Sequence, residues 1–433
     1  MFSNGTLAKV APRAAAAPTL MCGSARIGRT QISVDTGPLS AGCEVDARDG
    51  NLSGSALPDH PMGKGAPDVA KGRSHYLALD AARGIAASAV VIYHLRDLLG
   101  VAQLFGGSFL AVDLFFLMSG FVIALTYEGR LRDGKMSFIQ FGTVRAIRLY
   151  PLYLFASGIG FTYFLLKIVM HAPVAPTPGQ LGLAASTAAF ILPSIGSGSW
   201  GFGIYPFAPS AWSLTLEFWL NLVYALTVVR LGPKGLTVLA LVALGAMIQQ
   251  ALMFNSLDLG WGLRTFYGGF TRFCFSFTVG LLIFRWSVGK SPPAAPLWIM
   301  LPVTFAFVAF PHDAVVLQLV WVVIVFPAFL ILSLRARLAG AIAKVADHLG
   351  RLSYGVYILH APLALVALGF FKTVDRSHYA QDGVVAGLAI LALVIAVTAA
   401  ATYWFDEPVR RWLQRNVYWP MAAKNSSTSS ERV

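Results

Sequence analysis

The chain has 433 residues, of which 56% are hydrophobic and only 12% are charged, whereas about a quarter of the residues of a soluble domain are charged. Its 20 acidic and 33 basic residues cannot cover a soluble protein of this length, so the composition excludes a soluble globular enzyme, a disordered chain and a nucleic-acid-binding protein. It indicates an all-α polytopic membrane protein. The net charge of +13 then fits Lys and Arg in cytoplasmic loops beside acidic lipid headgroups.

Residues 1–74 differ in composition from the rest of the chain. Phe2 is their only aromatic residue, and Ala, Gly, Ser, Pro and Asp dominate. Such a segment cannot bury enough apolar surface to fold alone, so we predict a disordered cytoplasmic tail. A start codon assigned too early, with the true start near Met62, and a targeting peptide are the alternatives. We place a membrane domain at 75–415 and a second disordered cytoplasmic tail at 416–433.

From Tyr76 onward the chain is divided into apolar runs of about 20 residues, the length that crosses about 30 Å of hydrocarbon. We predict ten transmembrane helices, at 76–98, 105–127, 149–169, 212–231, 235–254, 268–286, 296–311, 313–333, 353–372 and 383–404. A further apolar run at 181–195 is short and contains Pro193. Whether this run crosses the membrane decides the orientation of everything that follows it.

The positions of Lys and Arg settle that question. The loop between the second and third spans should be cytoplasmic because basic residues concentrate there. Its basic residues are Arg130, Arg132, Lys135, Arg145 and Arg148. If 181–195 does not cross, the later basic clusters are cytoplasmic too, and the outer segment 170–211 contains no Lys or Arg. We therefore predict ten spans, both termini cytoplasmic, and a re-entrant or outer-surface element at 181–195.

The first span carries ionisable residues, which are costly in a membrane and mark functional sites or buried ion pairs. Asp80, Arg83 and His94 share one helical face, because the eleven positions from Arg83 to His94 make about three turns. Arg83 then lies near the cytoplasmic interface, and His94 lies about 16 Å deeper. One interpretation is a packing salt bridge between Asp80 and Arg83 with a structural histidine. The other is a functional Arg–His pair.

Two acidic residues also fall within predicted spans. Asp113, in the second span, either pairs with the Arg of the first span, orients its His, or packs against another helix. Glu217 follows Ser213 by four residues in the fourth span, so the two share a face. Glu217 is either a reactive carboxylate or a hydrogen-bonded structural one, and Trp212 beside them suits the membrane interface.

Two more polar patterns complete the candidates. Arg145 and Arg148 lie one turn apart, and two such guanidinium groups are suited to binding phosphate. The alternative is that they only mark the cytoplasmic side of the membrane, as basic residues commonly do. In the ninth span Ser353, Tyr357 and His360 lie on one helical face. They form either a hydrogen-bonded seam between helices or part of a polar cavity.

Taken together, these pieces resemble the acyltransferase-3 family of bacterial membrane O-acyltransferases, which modify surface and secreted carbohydrates. The matching pieces are LDAARGIAASAVVIYH, DLFFLMSGF, RAIR, WSLTLEFW, LGRLSYGVYILH and YWFDEP, in that order. Each is weak alone, but six in order across residues 75–415 are specific. The sequence departs from the pattern at Ala81, where Gly is usual, at Ala82, where Leu is usual, and at Met118.

The resemblance implies a ten-helix transferase that uses acetyl-CoA or another acyl-CoA as donor, with no metal. It implies that Arg83 and His94 are the essential pair of the first helix. It also implies that Arg145 and Arg148 face the cytosolic donor. We predict catalytic roles for His94, Glu217 and Asp113, donor binding by Arg83, Arg145 and Arg148, and substrate binding by Trp212, Ser213, Tyr357 and His360. His94 acts either as a general base or as a transient acyl carrier.

The predicted function is transfer of an acetyl or other short acyl group from cytosolic acyl-CoA to a hydroxyl of a surface, secreted or lipid-linked carbohydrate. The predicted location is the bacterial inner membrane, in contact with membrane lipid. The acceptor is a carbohydrate or glycolipid, the polysaccharide biosynthesis machinery is a candidate partner, and nucleic acid is not expected. The alternative is a proton-coupled transporter, because intramembrane charges also build such carriers. An inverted repeat would favour it, and we find none.

Overall fold

The computed structural model describes residues 76–290, 303–307, 314–374 and 383–422, except 102, 202, 305, 335 and 337, and gives only the backbone of 371–374. These residues all belong to one compact unit, Gly65–Val433. The predicted tail at 1–74 lies outside the described residues. The last helix continues to Ala422, past the predicted boundary at 415.

The described secondary structure is entirely helical, with no strand among the described residues. The helices are α1 (Leu77–Leu95), α2 (Ser108–Arg132), α3 (Phe138–Val169), α4 (Pro178–Ala189), α5 (Ala211–Leu226), α6 (Pro233–Phe254), α7 (Phe266–Ser287), α8 (Val315–Ser333), α9 (Gly340–Val374) and α10 (Gly383–Ala422). Within the described residues, eight of them, all but α4 and α5, are long and apolar enough to cross a membrane. The predicted class, an all-α polytopic membrane protein, is confirmed.

Two predicted spans account for the difference between eight and ten. The span at 212–231 corresponds to α5, which has 16 residues, fewer than the about 20 that cross a bilayer. The span at 296–311 lies mostly outside the described residues. The count of ten and the cytoplasmic position of both termini therefore stay predictions. Helix α4 has 12 residues, about 18 Å of helix, which agrees with a segment that does not cross.

Helix α3 begins earlier than its apolar run suggests. Ser137 caps its first turn, accepting a hydrogen bond from the Gln140 backbone while the Gln140 side chain accepts one from the Ser137 backbone. This reciprocal capping fixes the start of the helix ahead of the predicted span at 149. As a result Arg145 and Arg148 lie on one continuous helix with the membrane segment, rather than in a preceding loop.

Helices α1 and α9 pack side by side and in parallel. At one end Gly84 faces Leu349, and Gly350 faces Asp80, so closely that a Cβ atom on either glycine would collide with its neighbour. Small residues allow this backbone approach between membrane helices. The shared register brings the motifs LDAARGIAASAVVIYH and LGRLSYGVYILH together along their whole length, and it places the polar faces of both helices in one site.

The segment between α4 and α5 folds back onto the helices. The Tyr153 hydroxyl of α3 donates to the Ala188 carbonyl at 2.8 Å, and the Thr215 hydroxyl of α5 donates to the Ile191 carbonyl at 2.8 Å. Trp200 and Phe207 pack with Phe164 of α3. These contacts attach the segment after α4 to the bundle at several points.

Candidate active site

One end of the site is a cluster of four arginines from three helices, here called the arginine cluster: Arg83 of α1, Arg145 and Arg148 of α3, and Arg410 of α10. Arg148 is exposed and lies within electrostatic range of the other three and of Asp406. Among the described residues, Arg148 makes no side-chain hydrogen bond or ion pair. It therefore presents an exposed guanidinium group whose hydrogen-bond donors are available to a ligand.

Each of the other three arginines has one carboxylate partner. Arg83 binds Asp80 at 2.5 Å, Arg145 binds Glu217 at 2.6 Å, and Arg410 binds Asp406 at 2.5 Å. In all three the Nε atom is buried without a hydrogen-bond partner in the described structure. Buried donors are rarely left unsatisfied, so the cluster has the unused hydrogen-bonding capacity and the positive charge that suit an anionic ligand.

These pairs revise the sequence interpretation of Glu217. The sequence left open whether Glu217 is a reactive carboxylate or a hydrogen-bonded structural one, and we predicted a catalytic role. The structure instead places Glu217 in the arginine cluster, where Arg145 and the Ser119 hydroxyl (3.1 Å) both bind its Oε1 atom. The predicted salt bridge between Asp80 and Arg83 is present. Arg410 of α10, which is not among the predicted site residues, also belongs to the cluster.

Asp113 has a partner that the sequence analysis did not name. Both of its carboxylate oxygens accept hydrogen bonds from Arg272 of α7, the shortest at 2.5 Å, and both side chains are fully buried. The alternatives in which Asp113 pairs with Arg83 or orients His94 are therefore wrong, and packing against another helix is correct. Arg272 lies within the predicted span 268–286, where a charge is costly, and that signal was available.

The other end of the site is formed by His94 of α1 and His360 of α9, here called the histidine pair, with ring centroids 5.0 Å apart. His94 is exposed, and its Nδ1 atom lies 2.8 Å from the Val90 carbonyl oxygen. That contact assigns the proton to Nδ1, since a carbonyl oxygen only accepts. The Nε2 atom of His94 is then unprotonated and free to accept a proton from a ligand.

His360 is oriented in the same way but is buried. Its Nδ1 atom lies 2.8 Å from the Tyr357 carbonyl oxygen, and its Nε2 atom is buried without a partner in the described structure. The Tyr357 hydroxyl hydrogen-bonds the Ser213 hydroxyl at 2.7 Å. Of the predicted substrate-binding residues, His360 thus lies next to His94, and the Tyr357 ring lies beside His360 and carries the hydrogen bond to Ser213.

Trp212 does not lie in this cleft. It is only 7% exposed, packs edge-on against Phe116, and has the Arg272 guanidinium 5.5 Å above its ring. The predicted interface position of Trp212 is therefore replaced by a position in the core, beside the Asp113–Arg272 pair. The contact explains why an aromatic residue is needed here: it covers a buried cation with a π face.

The two ends lie along the same pair of helices. Arg83 and His94 are three turns apart on α1, or about 16 Å. An extended ligand with negative charge at one end and a reactive group at the other can lie along this face, with its charge on the arginine cluster and its reactive group at the histidine pair. The arrangement suits proton abstraction or nucleophilic attack by His94.

Comparison with known proteins adds the following findings. A family model described as an acyltransferase domain matches residues 76–404. Protein 2 in the picA locus of Rhizobium radiobacter is 34% identical over 184 residues, which cover 41% of this chain and 95% of that protein. The O-acetyltransferase OatA of Staphylococcus aureus is 25% identical over 369 residues, which cover 77% of this chain but only 57% of OatA. No solved structure matches this chain.

Proposed function

This chain belongs to the acyltransferase-3 family, and we propose that it moves an acetyl or other short acyl group from cytosolic acyl-CoA to a hydroxyl of a carbohydrate. The observation that carries this proposal is the site along α1, which has an unpaired exposed arginine at one end and an exposed histidine with a free Nε2 atom at the other. Family membership supports acyl transfer. The name of the Staphylococcus relative supports an acetyl group and an oxygen acceptor for that protein, and we extend both to this chain.

We assign the donor to the arginine cluster. Acyl-CoA carries several phosphate groups at one end, a long uncharged arm, and the thioester at the other end. Arg148 donates two parallel hydrogen bonds from its guanidinium group to one phosphate. Arg83 and Arg145 contribute charge and their remaining N–H groups, and Arg410 joins them. The uncharged arm then follows α1 toward His94, which places the thioester at the histidine pair.

We assign the chemistry to His94 as a general base. Its Nε2 atom takes the proton of the acceptor hydroxyl while the hydroxyl oxygen attacks the thioester carbonyl carbon. The carbon–sulfur bond breaks, and the departing CoA thiolate takes the proton from His94. The products are an ester and free CoA, and His94 returns to its starting state. In the acyl-carrier alternative, Nε2 attacks the thioester first and passes the acyl group to the hydroxyl in a second step.

The acceptor and the location are part of the same proposal. We place the protein in the bacterial inner membrane with both termini in the cytoplasm, so that the arginine cluster meets cytosolic acyl-CoA and His94 lies toward the outer face. The acceptor is then a surface, secreted or lipid-linked carbohydrate. The absence of Lys and Arg from 170–211 supports this orientation.

The test is transfer of label from acetyl-CoA to carbohydrate. Membranes that contain the protein are incubated with acetyl-CoA labelled in the acetyl group, and alkali-labile label is counted in the carbohydrate fraction. We expect transfer with the natural chain and none with His94→Ala at equal protein level. His171→Ala, which removes an exposed histidine outside the site, is the matched control and should remain active. Full activity of His94→Ala would refute the mechanism.

The same assay separates the two roles of His94. Membranes are incubated with labelled acetyl-CoA without acceptor, stopped at neutral pH, and the protein is isolated. If His94 is a general base, no label remains on the protein. Label on the protein that is lost with His94→Ala and discharged by acceptor would show the acyl carrier instead.

A further inference from the structure

A small group of side chains surrounds His94 at its exposed end and has no role in the mechanism above. The Tyr93 hydroxyl donates a hydrogen bond to Asp258 at 3.2 Å. The Arg96 guanidinium lies 4.2 Å above the Tyr93 ring and donates to the Tyr93 carbonyl at 2.7 Å. The Tyr93 ring meets the His94 ring edge-on at 5.1 Å. Asp258 and Arg96 are thereby two charged side chains that contact Tyr93, the aromatic neighbour of His94.

The loop that carries Asp258 is held on both sides. Before it, the Leu257 N–H donates to the Gln318 side chain of α8 at 2.7 Å. After it, the Leu259 carbonyl accepts a hydrogen bond from Arg272 of α7 at 2.7 Å. Leu257 and Leu259 are both buried. A carboxylate fixed in this way is preorganised, as the groups of a binding site must be.

This support gives the Asp113–Arg272 pair a function. Asp113 fixes the Arg272 guanidinium with three hydrogen bonds, and Arg272 uses its remaining terminal nitrogen to hold the Leu259 carbonyl. Asp258 directly precedes Leu259 in the chain. The acidic residue of the DLFFLMSGF motif is therefore connected, through Arg272, to the loop that carries Asp258.

Asp258 has capacity for a ligand. Only its Oδ2 atom makes a side-chain hydrogen bond among the described residues, and the side chain is partly exposed. An ionised carboxylate only accepts hydrogen bonds, so its partner must supply an O–H or N–H group. A neighbouring hydroxyl of a sugar ring supplies one, whereas the thioester group itself carries neither; the amide N–H of the donor arm lies two carbons beyond the sulfur.

We propose that Asp258 is an acceptor-binding residue. Its free carboxylate oxygen accepts a hydrogen bond from a hydroxyl adjacent to the one that His94 deprotonates, so the preferred acceptor carries two neighbouring hydroxyl groups. This inference rests on the proposed function, because it assumes acyl transfer at His94. It adds an acceptor subsite formed by Tyr93, Arg96 and Asp258, on the far side of His94 from the arginine cluster.

The test compares the KM for the donor with the KM for the acceptor in the natural chain and in variants. The donor probe is labelled acetyl-CoA, and the acceptor probe is surface polysaccharide of the host, freed of its esters by mild alkali. For Asp258→Asn we expect KM for the polysaccharide to rise about tenfold or more, as for loss of a hydrogen bond to a charged group. KM for acetyl-CoA should be unchanged, which also shows that the variant is folded. Tyr93→Phe, which frees Asp258 Oδ2, should cause a smaller rise.

A control variant and three possible outcomes complete the test. Asp97→Asn removes an exposed carboxylate in the turn after α1 that makes no side-chain hydrogen bond among the described residues, and it should match the natural chain. An unchanged KM for polysaccharide in Asp258→Asn, with an active natural chain, overturns this inference alone, and so does an equal rise in KM for acetyl-CoA. No transfer by the natural chain overturns the proposed function and this inference with it.

Discussion

Arg148 differs from the other members of the arginine cluster because it has no carboxylate partner among the described residues. Arg83, Arg145 and Arg410 each form an ion pair with one carboxylate, which partly neutralises their positive charge. Arg148 is exposed, so its whole guanidinium group is available to a ligand. Arg148 is therefore the residue of the cluster whose loss should affect donor binding most directly and the fold least.

We expect Arg148→Ala to raise KM for acetyl-CoA about tenfold, which is about 1.4 kcal/mol of binding energy, with a smaller change in kcat. Loss of a contact that is equally strong in the bound substrate and the transition state has this signature. Initial rates across acetyl-CoA concentrations measure it. Arg411→Ala, an exposed arginine of α10 that bonds only a backbone carbonyl, is the control. A fall in kcat at unchanged KM would contradict donor binding by Arg148.

The Asp113–Arg272 pair behaves in the opposite way, because it is complete and fully buried. Removing one member leaves an uncompensated buried charge, which costs about 3–5 kcal/mol. We expect Asp113→Ala to lower the thermal unfolding temperature of the purified protein strongly. Asp133→Asn breaks an exposed pair with Lys135, which is worth about 0–1 kcal/mol, and serves as control.

A double variant tests whether the destabilisation comes from the unpaired charge. Asp113→Ala combined with Arg272→Met removes both charges, and we expect it to recover part of the lost stability, since an apolar pair is tolerated where a single charge is not. The same double variant releases the Leu259 carbonyl, so acyl transfer should stay low although the fold is restored. Full recovery of transfer would show that Arg272 has no influence on the site.

At the scale of helices, the site depends on how closely α1 and α9 approach. Gly84 lies against Leu349 without room for a Cβ atom, and the approach aligns Arg83 with the arginine cluster and His94 with His360. A glycine in the interior of a helix usually lowers the stability of that helix by about 1 kcal/mol relative to alanine. Gly84 is present despite this cost because packing, rather than helix propensity, decides the residue.

We expect Gly84→Val to separate the two helices and abolish acyl transfer, with a lower yield of folded protein. Gly158 of α3 has nothing near the position of a Cβ atom, so Gly158→Ala should leave transfer unchanged and stability equal or slightly higher. Transfer assays and size-exclusion chromatography of both variants compare them. Normal transfer by Gly84→Val would show that close contact between α1 and α9 is not required.

At the scale of the whole molecule, the distribution of charge predicts the orientation. Basic residues cluster after α2 and along α10, whereas 170–211 has none, and the positive-inside tendency then places the segment between α4 and α5 outside. The short α4 is consistent with this. Under the proposed function, this predicted orientation lets the donor enter at the arginine cluster and the acceptor at the histidine pair.

Labelling of single cysteines tests the orientation. Ser199→Cys and Lys135→Cys introduce thiols at exposed positions after α4 and after α2, in a chain whose own cysteines are replaced by Ser. We expect a membrane-impermeant maleimide to label position 199 in intact cells and position 135 only after permeabilisation. The reverse pattern would contradict the topology and the proposed sides of donor and acceptor.

The sequence alone determined the class of protein, the family and the positions of eight membrane helices, and it supplied the candidate residues of the site. These follow from local properties: an apolar run of sufficient length forms a helix in a membrane whatever its neighbours are, and a motif is read along the chain. The same reasoning put Arg83 and His94 on one face of α1 and identified the two arginines of α3, which the structure brings near Arg83.

The tertiary structure alone decided the partners of the charges. Asp113 and Arg272 are 159 positions apart, and Arg145 and Glu217 are 72 apart, so no local pattern predicts either pair. Ion pairing between helices depends on which helices are neighbours and at what height, and packing of close-fitting glycines and aromatic residues sets both. For that reason the sequence identified Asp113 and Glu217 as candidates but could not say that Asp113 pairs with Arg272, which holds the Leu259 carbonyl, and that Glu217 lies in the arginine cluster.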